Sequence, residues 1–573
     1  MASNPILKLD YPDIDVIRVD DTYYMISTTM YFMPGGVILR SYDLVHWEIA
    51  SYVFDAHEDT AAAHLMDGQN IYGQGMWAAS LRYHNGIFYV CFVANDTKKT
   101  YLYQAKNIEG PWTKQYIEGF YHDCSLLFDD DSRVYIVYGN TDIYLTELKE
   151  DLTGPKEGGL SRLLVSDNRS KVGLGYEGSH IYKINGKYYL FLIHWPNHGT
   201  CRRTQACFVS DSLDGTFVGR DVVDDDMDYF NAGVAQGGIV DTPDGLWYAM
   251  LFQDYGALGR IPVLIPVTFS NGFPVFGHLS GRIGKIPRKV KSVSTRPNYH
   301  YAPLYGGDDF CYKRGADRKI HLKNYWQWNH IPQDDLWNIK TTLLPEALVS
   351  QSVKEEENTS HSETTPENSL PVYCRPMLDG FPPSAYYSRY CYQITSGKTC
   401  TNLTQAVNTL TQRLAGAVST VTVTLNGISL KEGDFAGLCA LQGYYAFIAL
   451  TREGGRYYIV IHERLRDTDQ KPDKKNYDSV EVARILTDSP FVMLRLTACF
   501  RDMQDTVSFS YRISGKRTET KEGEDGFTAL GKPHKLYFTL DHFTGCRAGL
   551  FMYSTIETGG TADFADFKFE AEE

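Results

Sequence analysis

Five stretches within the first 280 residues align with one another without a gap. They begin at Asp13 (DIDVIRVDDTYYM), Trp77 (WAASLRYHNGIFY), Asp123 (DCSLLFDDDSRVY), Glu177 (EGSHIYKINGKYY) and Gln236 (QGGIVDTPDGLWY). Each carries an apolar fifth residue (Ile17, Leu81, Leu127, Ile181, Val240) and an Asx ninth residue (Asp21, Asn85, Asp131, Asn185, Asp244). A small or turn-forming tenth residue and an aromatic or apolar pair follow. Asx-Gly between alternating runs marks a β-hairpin, because a type I′ turn needs positive φ at both central residues. Third and fourth strands follow several of these hairpins, as in VILRSYDLVHWEI and YLYQAKNIEGPWTK. Four strands per unit, repeated five times, predict a five-bladed β-propeller. A sandwich with coincidental self-similarity is the competing reading.

The first strand of each propeller blade lines the central channel. The alignment therefore brings Asp13, Trp77, Asp123, Glu177 and Gln236 to equivalent places around one axis. Three acids, an indole and an amide would share a pocket. Converging carboxylates raise one another's pKa, which keeps one protonated as a proton donor while another activates water beside an aromatic sugar platform. A calcium site at the channel mouth uses the same residue types, and simple polar contacts are a third reading.

Composition narrows the partners. Lys+Arg 56 against Asp+Glu 70 gives a net charge of −14, which repels phosphate backbones and anionic lipid, so neither nucleic acid nor membrane is an expected partner. No run is long and apolar enough to span a bilayer, and the N-terminus reads without a secretory signal. The 11 cysteines lack metal-ligand spacing and read as reduced thiols of a cytoplasmic protein. Nothing calls for an organic cofactor, and a homo-oligomer stays open.

Residues from about 280 to 317 are basic with scattered Pro and Gly. The expected boundaries are a propeller over 1–295, a linker over 296–317 and a β-sandwich over 318–573, with strand-like runs such as LYFTLDHF and AGLFMYST. The acidic, aperiodic stretch 346–370 reads as a mobile loop. Trp326, Trp328 and Trp337 cluster at the start of the sandwich and read as core side chains.

Several motifs resemble glycoside hydrolase family 43, the two-domain β-xylosidase and α-L-arabinofuranosidase type. They are Asn4-Pro5-Ile6-Leu7 with Tyr11-Pro12-Asp13, Trp77-Ala78, His122-Asp123-Cys124-Ser125-Leu126, Glu177-Gly178-Ser179-His180 and Gly259-Arg260-Ile261-Pro262. Trp326-Gln327-Trp328-Asn329-His330 and Asn408-Thr409-Leu410-Thr411-Gln412-Arg413 extend the likeness past the propeller. The resemblance implies an all-β chain with a five-bladed propeller followed by a concanavalin-like β-sandwich, which can lend a loop to the pocket rim. It implies an inverting, exo-acting hydrolase that removes terminal β-D-xylosyl or α-L-arabinofuranosyl units from xylo-, arabinoxylo- or arabino-oligosaccharides. By motif position Asp13 would be the general base, Glu177 the general acid and Asp123 the residue that orients and tunes the acid. Asp15, two residues on, would share the strand face of Asp13. Phe32, Trp77, Gln236 and Arg260 would contact substrate.

Two departures stand out. Gln236 occupies the place of a histidine that helps many relatives hold a channel ion, which speaks against a structural Ca2+, and the expectation is no required metal. Cys124 replaces the proline of the usual His-Asp-Pro. Two rival functions remain: a retaining fructosidase-like hydrolase, whose Asn-Asp-Pro-Asn-Gly context is missing here, and a non-catalytic sugar-binding propeller, which would usually have lost one of the three acids.

Overall fold

In the computed structural model, residues 1–280, 283–348, 372–373, 386–464, 466, 477–513 and 526–572 are described. The hairpin signals fold as the turn chemistry requires. Asn85-Gly86 and Asn185-Gly186 both carry positive φ at the two central positions (49° and 78°, 49° and 77°). Blade 1 differs by one residue. Val19 pairs with Thr22, so its turn is Asp20-Asp21 rather than the aligned Asp21-Thr22, with Asp20 at φ 53°.

Four-stranded antiparallel sheets follow in chain order. Blade 1 comprises Asp15–Val19, Thr22–Ser27, Gly35–Ser41 and Glu48–Phe54, and blade 2 comprises Met76–His84, Ile87–Ala94, Lys99–Ala105 and Thr113–Ile117. Blade 3 comprises Ser125–Phe128, Val134–Asn140, Asp142–Leu148 and Ser161–Ser166. Blade 4 comprises Val172–Ile184, Lys187–Pro196, Thr204–Ser210 and Val218–Val223, extended at its edge by Ile283–Lys285 and His278–Ser280. Blade 5 comprises Val234–Asp241, Trp247–Asp254, Arg260–Ser270 and Phe273–Phe276. This is a five-bladed β-propeller.

The apolar core lies between neighbouring blades and leaves the channel polar. Ile184, Phe191 and Val222 of blade 4 pack on Ile239, Leu251 and Val263 of blade 5, and Leu127, Val137 and Leu145 of blade 3 pack on Ile181, Leu190 and Leu192 of blade 4. Each such buried side chain contributes about 1.5–3 kcal/mol. The ring is clasped by the N-terminal segment. Asn4 Nδ2 donates to the carbonyls of Leu264 (2.8 Å) and Pro287 (3.0 Å), its Oδ1 accepts from Leu264 N–H, and Tyr11 N–H donates to the Arg260 carbonyl. Asn4 thus closes its amide on the Leu264 backbone of blade 5, and the chain that follows it leads to Asp13.

Residues 1–60, 71–304 and 538–545 form one compact unit, and residues 61–70, 305–537 and 546–573 the other. In the first unit the basic stretch after blade 5 straps blade 1: Arg296 pairs with Asp21 at 2.7 Å, and Tyr299 Oη and Ala302 N–H donate to Glu48. The second unit is built from two sheets. One runs Val480–Thr487, Arg456–Glu463, Ala446–Glu453, Asp434–Leu441, Arg547–Ser554, Leu410–Arg413 and Gln327–Asn329; the other runs Trp337–Pro345, Tyr386–Thr395, Thr561–Glu572, Val418–Asn426, Phe491–Cys499, Thr506–Ile513 and Thr528–Lys535. Trp326 is buried there and donates Nε1–H to Asp308 at 2.8 Å, while Trp328 and Trp337 lie 5.3 Å apart, centroid to centroid. Of the acidic stretch 346–370, all but residues 346–348 lies outside the described residues. Among the described residues no helix is long and apolar enough to cross a membrane.

Candidate active site

The alignment marks a shared backbone device as well as shared residue types. Asp13, Asp123 and Gln236 all sit in the left-handed region, at φ 53°, 46° and 54°. For blade 4 the left-handed turn falls on the next residue, Gly178 at φ 62°, where a Cβ would press within 2.7 Å of the Gln236 side chain. Left-handed non-glycine residues are strained and gather where function demands a fixed side chain. In blades 1, 3 and 5 the kink sits within two residues of the start of the innermost strand, and in blade 4 it sits at a bulge inside that strand.

Asp13 and Arg260 form a buried ion pair, Nη1 to Oδ1, at 2.7 Å. Burial pushes the Asp13 carboxyl above the ordinary carboxylate range, and the cations of Arg260 and Arg203 pull against that rise. Arg260 is held in turn: Phe543 lies 4.5 Å from its guanidinium carbon and Phe252 5.3 Å. Its surroundings exclude the surface salt bridge that would be its simplest structural use. Asp10, also buried, accepts from the backbone N–H groups of Arg260 and Gly545, each at 2.8 Å. One carboxylate therefore joins the N-terminal segment, blade 5 and segment 538–545 inside the same unit.

Asp123 and Glu177 lie on the other side of the constellation. Asn140 Nδ2 donates to Glu177 Oε2 at 2.5 Å, and Gly178 N–H donates to Asp123 Oδ2 at 3.2 Å. His122 Nε2 stands 3.6 Å from Glu177 Oε2 and 3.7 Å from Asp123 Oδ1. Burial pushes Asp123 up to about 7, with Glu177 and Asp13 adding to the rise and His122 opposing it. The His122 imidazole is raised to about 9, chiefly by Asp123 and then by Glu177, against its own burial. An imidazolium thus sits between two acids at neutral pH.

Trp77 is half-buried, with its ring 5.9 Å from His122 and 5.6 Å from Phe543. Among the described residues Trp77 Nε1 and His122 Nε2 are buried without a hydrogen-bond partner, His122 Nε2 standing at ion-pair distance from the two acids. An unmade buried bond costs about 1–3 kcal/mol, which a ligand hydroxyl would recover. Gln236 is buried against Gly178, and its N–H donates to Gln205 Oε1 at 2.6 Å. Phe32 has no accessible surface; it packs 4.5 Å from Tyr31, whose ring meets Tyr72.

Asp15 does not share the face of Asp13. Asp13 precedes the strand in its left-handed kink, whereas Asp15 opens the strand, fully buried, taking Arg82 Nη1 and Leu81 N–H. Burial opposes its ionisation, but Arg82 and His180 outweigh that and hold it below the usual carboxylate range. It is a structural ion pair.

His122, Asp123 and Glu177 form the one group of three potential metal ligands found among the described residues. Calcium takes 6–8 oxygen ligands. This group offers two carboxylates and one imidazole, with an amide at position 236, and the steps proposed for the reaction use no metal. Four residues of this site escape sequence reasoning: Asn140, Arg203, Asp10 and Phe543. His122 carried a signal, since it precedes Asp123 in the motif. Phe543 carried none.

The sequence pattern of the glycosyl hydrolases of family 43 matches residues 2–274, and that of the β-xylosidase C-terminal concanavalin A-like domain matches residues 392–570. A β-xylosidase of Formosa agariphila is 29% identical over 367 residues, 59% of this chain and 60% of that protein. A non-reducing end α-L-arabinofuranosidase of Bacteroides ovatus is 28% identical over 294 residues, 48% of this chain and 53% of that one. The chain thus spans between 53% and 60% of the length of these curated relatives. Among solved structures, a bifunctional GH43-CE protein of Bacteroides eggerthii superposes with TM-score 0.80 at 36% identity, over 100% of this chain and 64% of that chain. A GH43 glycoside hydrolase engineered to display both endo-xylanase and exo-arabinofuranosidase activity superposes with TM-score 0.75 at 26% identity, over 99% of both chains. With acids at three of the five aligned blade positions, the propeller is a glycoside hydrolase family 43 domain, and it is followed by a β-xylosidase C-terminal concanavalin A-like domain.

Proposed function

We propose that this chain is an inverting, exo-acting glycosidase that releases terminal β-D-xylosyl or α-L-arabinofuranosyl units from hemicellulose oligosaccharides. The observation that carries the reading is the unequal treatment of the acids. Asp13 faces a guanidinium at 2.7 Å, which favours its anionic form, whereas Asp123 and Glu177 face one another around His122. Asp13 is the base: its carboxylate takes a proton from water as that water attacks the anomeric carbon. Glu177 is the acid: it gives its proton to the glycosidic oxygen as the bond breaks. Asn140 fixes the Glu177 carboxyl, and Asp123, facing it around His122, orients it toward the leaving oxygen. Trp77 and Phe543 offer ring faces to the sugar, and Arg260 offers donors to its hydroxyls while keeping Asp13 ionised.

The test is hydrolysis of nitrophenyl β-xyloside and nitrophenyl α-arabinofuranoside, followed by proton NMR of the first sugar released. Turnover of at least one pentoside, with the inverted anomer appearing first, is the expected result. A retained first anomer would instead point to a nucleophilic carboxylate and overturn the roles assigned here.

A further inference from the structure

Innermost strands begin at the site, so second strands end, and third strands begin, at the same face of the propeller. On that face the second and third strands of blade 3 are joined by a tight turn, Asn140 pairing with Asp142 across Thr141. Blade 4 offers a long connection, residues 197–203, and another, residues 224–233, leads into blade 5. These two loops are tied into one rim. Asn231 Nδ2 donates to the Thr200 carbonyl at 2.9 Å, and Arg202 pairs with Asp224 at 2.6 Å and with Asp226 at 2.9 Å. Gly233 lies so close to the Arg203 backbone that a Cβ would meet the Arg203 carbonyl at 2.2 Å.

This rim exposes aromatic surface. Trp195, in the strand that pairs with the Glu177 strand and two residues beyond the partner of Glu177 itself, is 39% exposed. Phe230 is 59% exposed and held at φ 48°, in a stretch where Met227, Asp228 and Asn231 are also left-handed. A bulky residue kept in that region with its ring in water is a strained arrangement. Beside Trp195, Arg203 donates Nε–H to Asp254 at 2.7 Å, with its guanidinium carbon 5.9 Å from the Trp195 ring. The stacked rings of Tyr229 and Tyr255, 4.1 Å apart, support Phe230, which lies 5.0 Å from Tyr229. Ile193, two residues before Trp195, pairs with Glu177, and Gln205, two residues after Arg203, takes the Gln236 N–H, so this rim borders the site.

We propose that Trp195 with Arg203 beside it, and Phe230 on the loop tied to theirs, form a binding shelf for the leaving side of the substrate, taking neutral pyranose rings such as the xylosyl units beyond the scissile bond. The inference rests on the glycosidase reading above. A general acid protonates the leaving oxygen, so the departing sugar must lie beside Glu177, and Trp195 is the exposed ring on the neighbouring strand. Flat aromatic faces cover the C–H surface of a pyranose, and Arg203 supplies donors to its hydroxyls. Such a shelf favours oligosaccharides over substrates that lack a second ring.

The test compares kcat/KM for xylotriose with kcat/KM for a pentosyl fluoride, whose leaving group has no ring, in wild type, Trp195→Ala and Phe230→Ala. Tyr83→Ala serves as the control, since Tyr83 is an exposed aromatic near the hairpin turn at the opposite end of its strand. The expected result is that Trp195→Ala lowers the xylotriose-to-fluoride ratio tenfold or more and Phe230→Ala lowers it several-fold, while Tyr83→Ala leaves it unchanged. Equal losses on both substrates, or an unchanged ratio in both rim variants, would overturn the shelf. A wild type that hydrolyses neither substrate would overturn the glycosidase reading instead.

Discussion

Blades 1 and 3 present the same residue at the same repeat position in the same conformation, and the structure uses the two copies differently. Asp13 and Asp123 are both nearly buried, 7% and 6% exposed, with φ of 53° and 46°. Asp13 meets the guanidinium of Arg260, brought from the start of a third strand in blade 5. Asp123 meets a second acid and an imidazole, with only backbone N–H support at 3.2 Å. The repeat sets where a carboxylate stands. The side chains that face it decide what that carboxylate does, because a facing cation favours the charged form and a facing carboxylate disfavours it.

Removing the two copies should therefore cost unequally. Asp13→Ala deletes the base, and kcat should fall by roughly 10³–10⁴ with the fold intact. Asp123→Ala leaves Glu177 as donor and should cost about 10²-fold. Steady-state kinetics with circular dichroism as the fold control checks both. Equal losses would erase the distinction between the blades.

Arg260→Met attacks what makes Asp13 special. Breaking a buried ion pair costs about 3–5 kcal/mol, readable as a lower midpoint in chemical denaturation. The Asp13 carboxyl, already raised by burial, loses its main counter-charge and rises further. Since the base must be ionised, the acid limb of kcat/KM should move to higher pH, by roughly one to three units. An unmoved limb would mean that Arg260 does not tune Asp13.

His122→Phe is the gentler probe, made on the other copy. Loss of the imidazolium removes positive charge beside Asp123 and Glu177, so the pair holds its proton to higher pH. The alkaline limb should shift upward while the loss at the optimum stays within about tenfold. Stability gives a second readout. The His122 pKa rises from an unfolded value near 6.5 to about 9, so its contribution is complete below 6.5 and lost as pH rises through 9. The wild type should weaken over that interval relative to His122→Phe.

Much of this was legible in the chain. Hairpins at Asn85-Gly86 and Asn185-Gly186, the blade count and the convergence of Asp13, Asp123 and Glu177 follow from local turn chemistry and an internal alignment. The one-residue offset at Asp20-Asp21 was not legible, because Asp21-Thr22 fits the aligned pattern equally well on paper. Nor did adjacency in sequence help with Asp15, whose face depends on a left-handed kink at Asp13 that residue types alone do not reveal. The Phe543–Arg260 contact joins positions 283 apart in sequence and the Asp10–Gly545 bond positions 535 apart, and no periodicity reports such contacts.

Leaving-group dependence tests the division of labour between the blades most directly. Nitrophenyl and dinitrophenyl β-xylosides, or the arabinofuranosides if these are cleaved faster, would be compared in Asp13→Ala, Asp123→Ala and Glu177→Ala. A good leaving group needs no protonation, so it should partly restore kcat in Glu177→Ala and Asp123→Ala and leave Asp13→Ala as slow as before. Equal restoration in Asp13→Ala, or none in Glu177→Ala, would contradict the assignment of base to blade 1 and acid to blade 4.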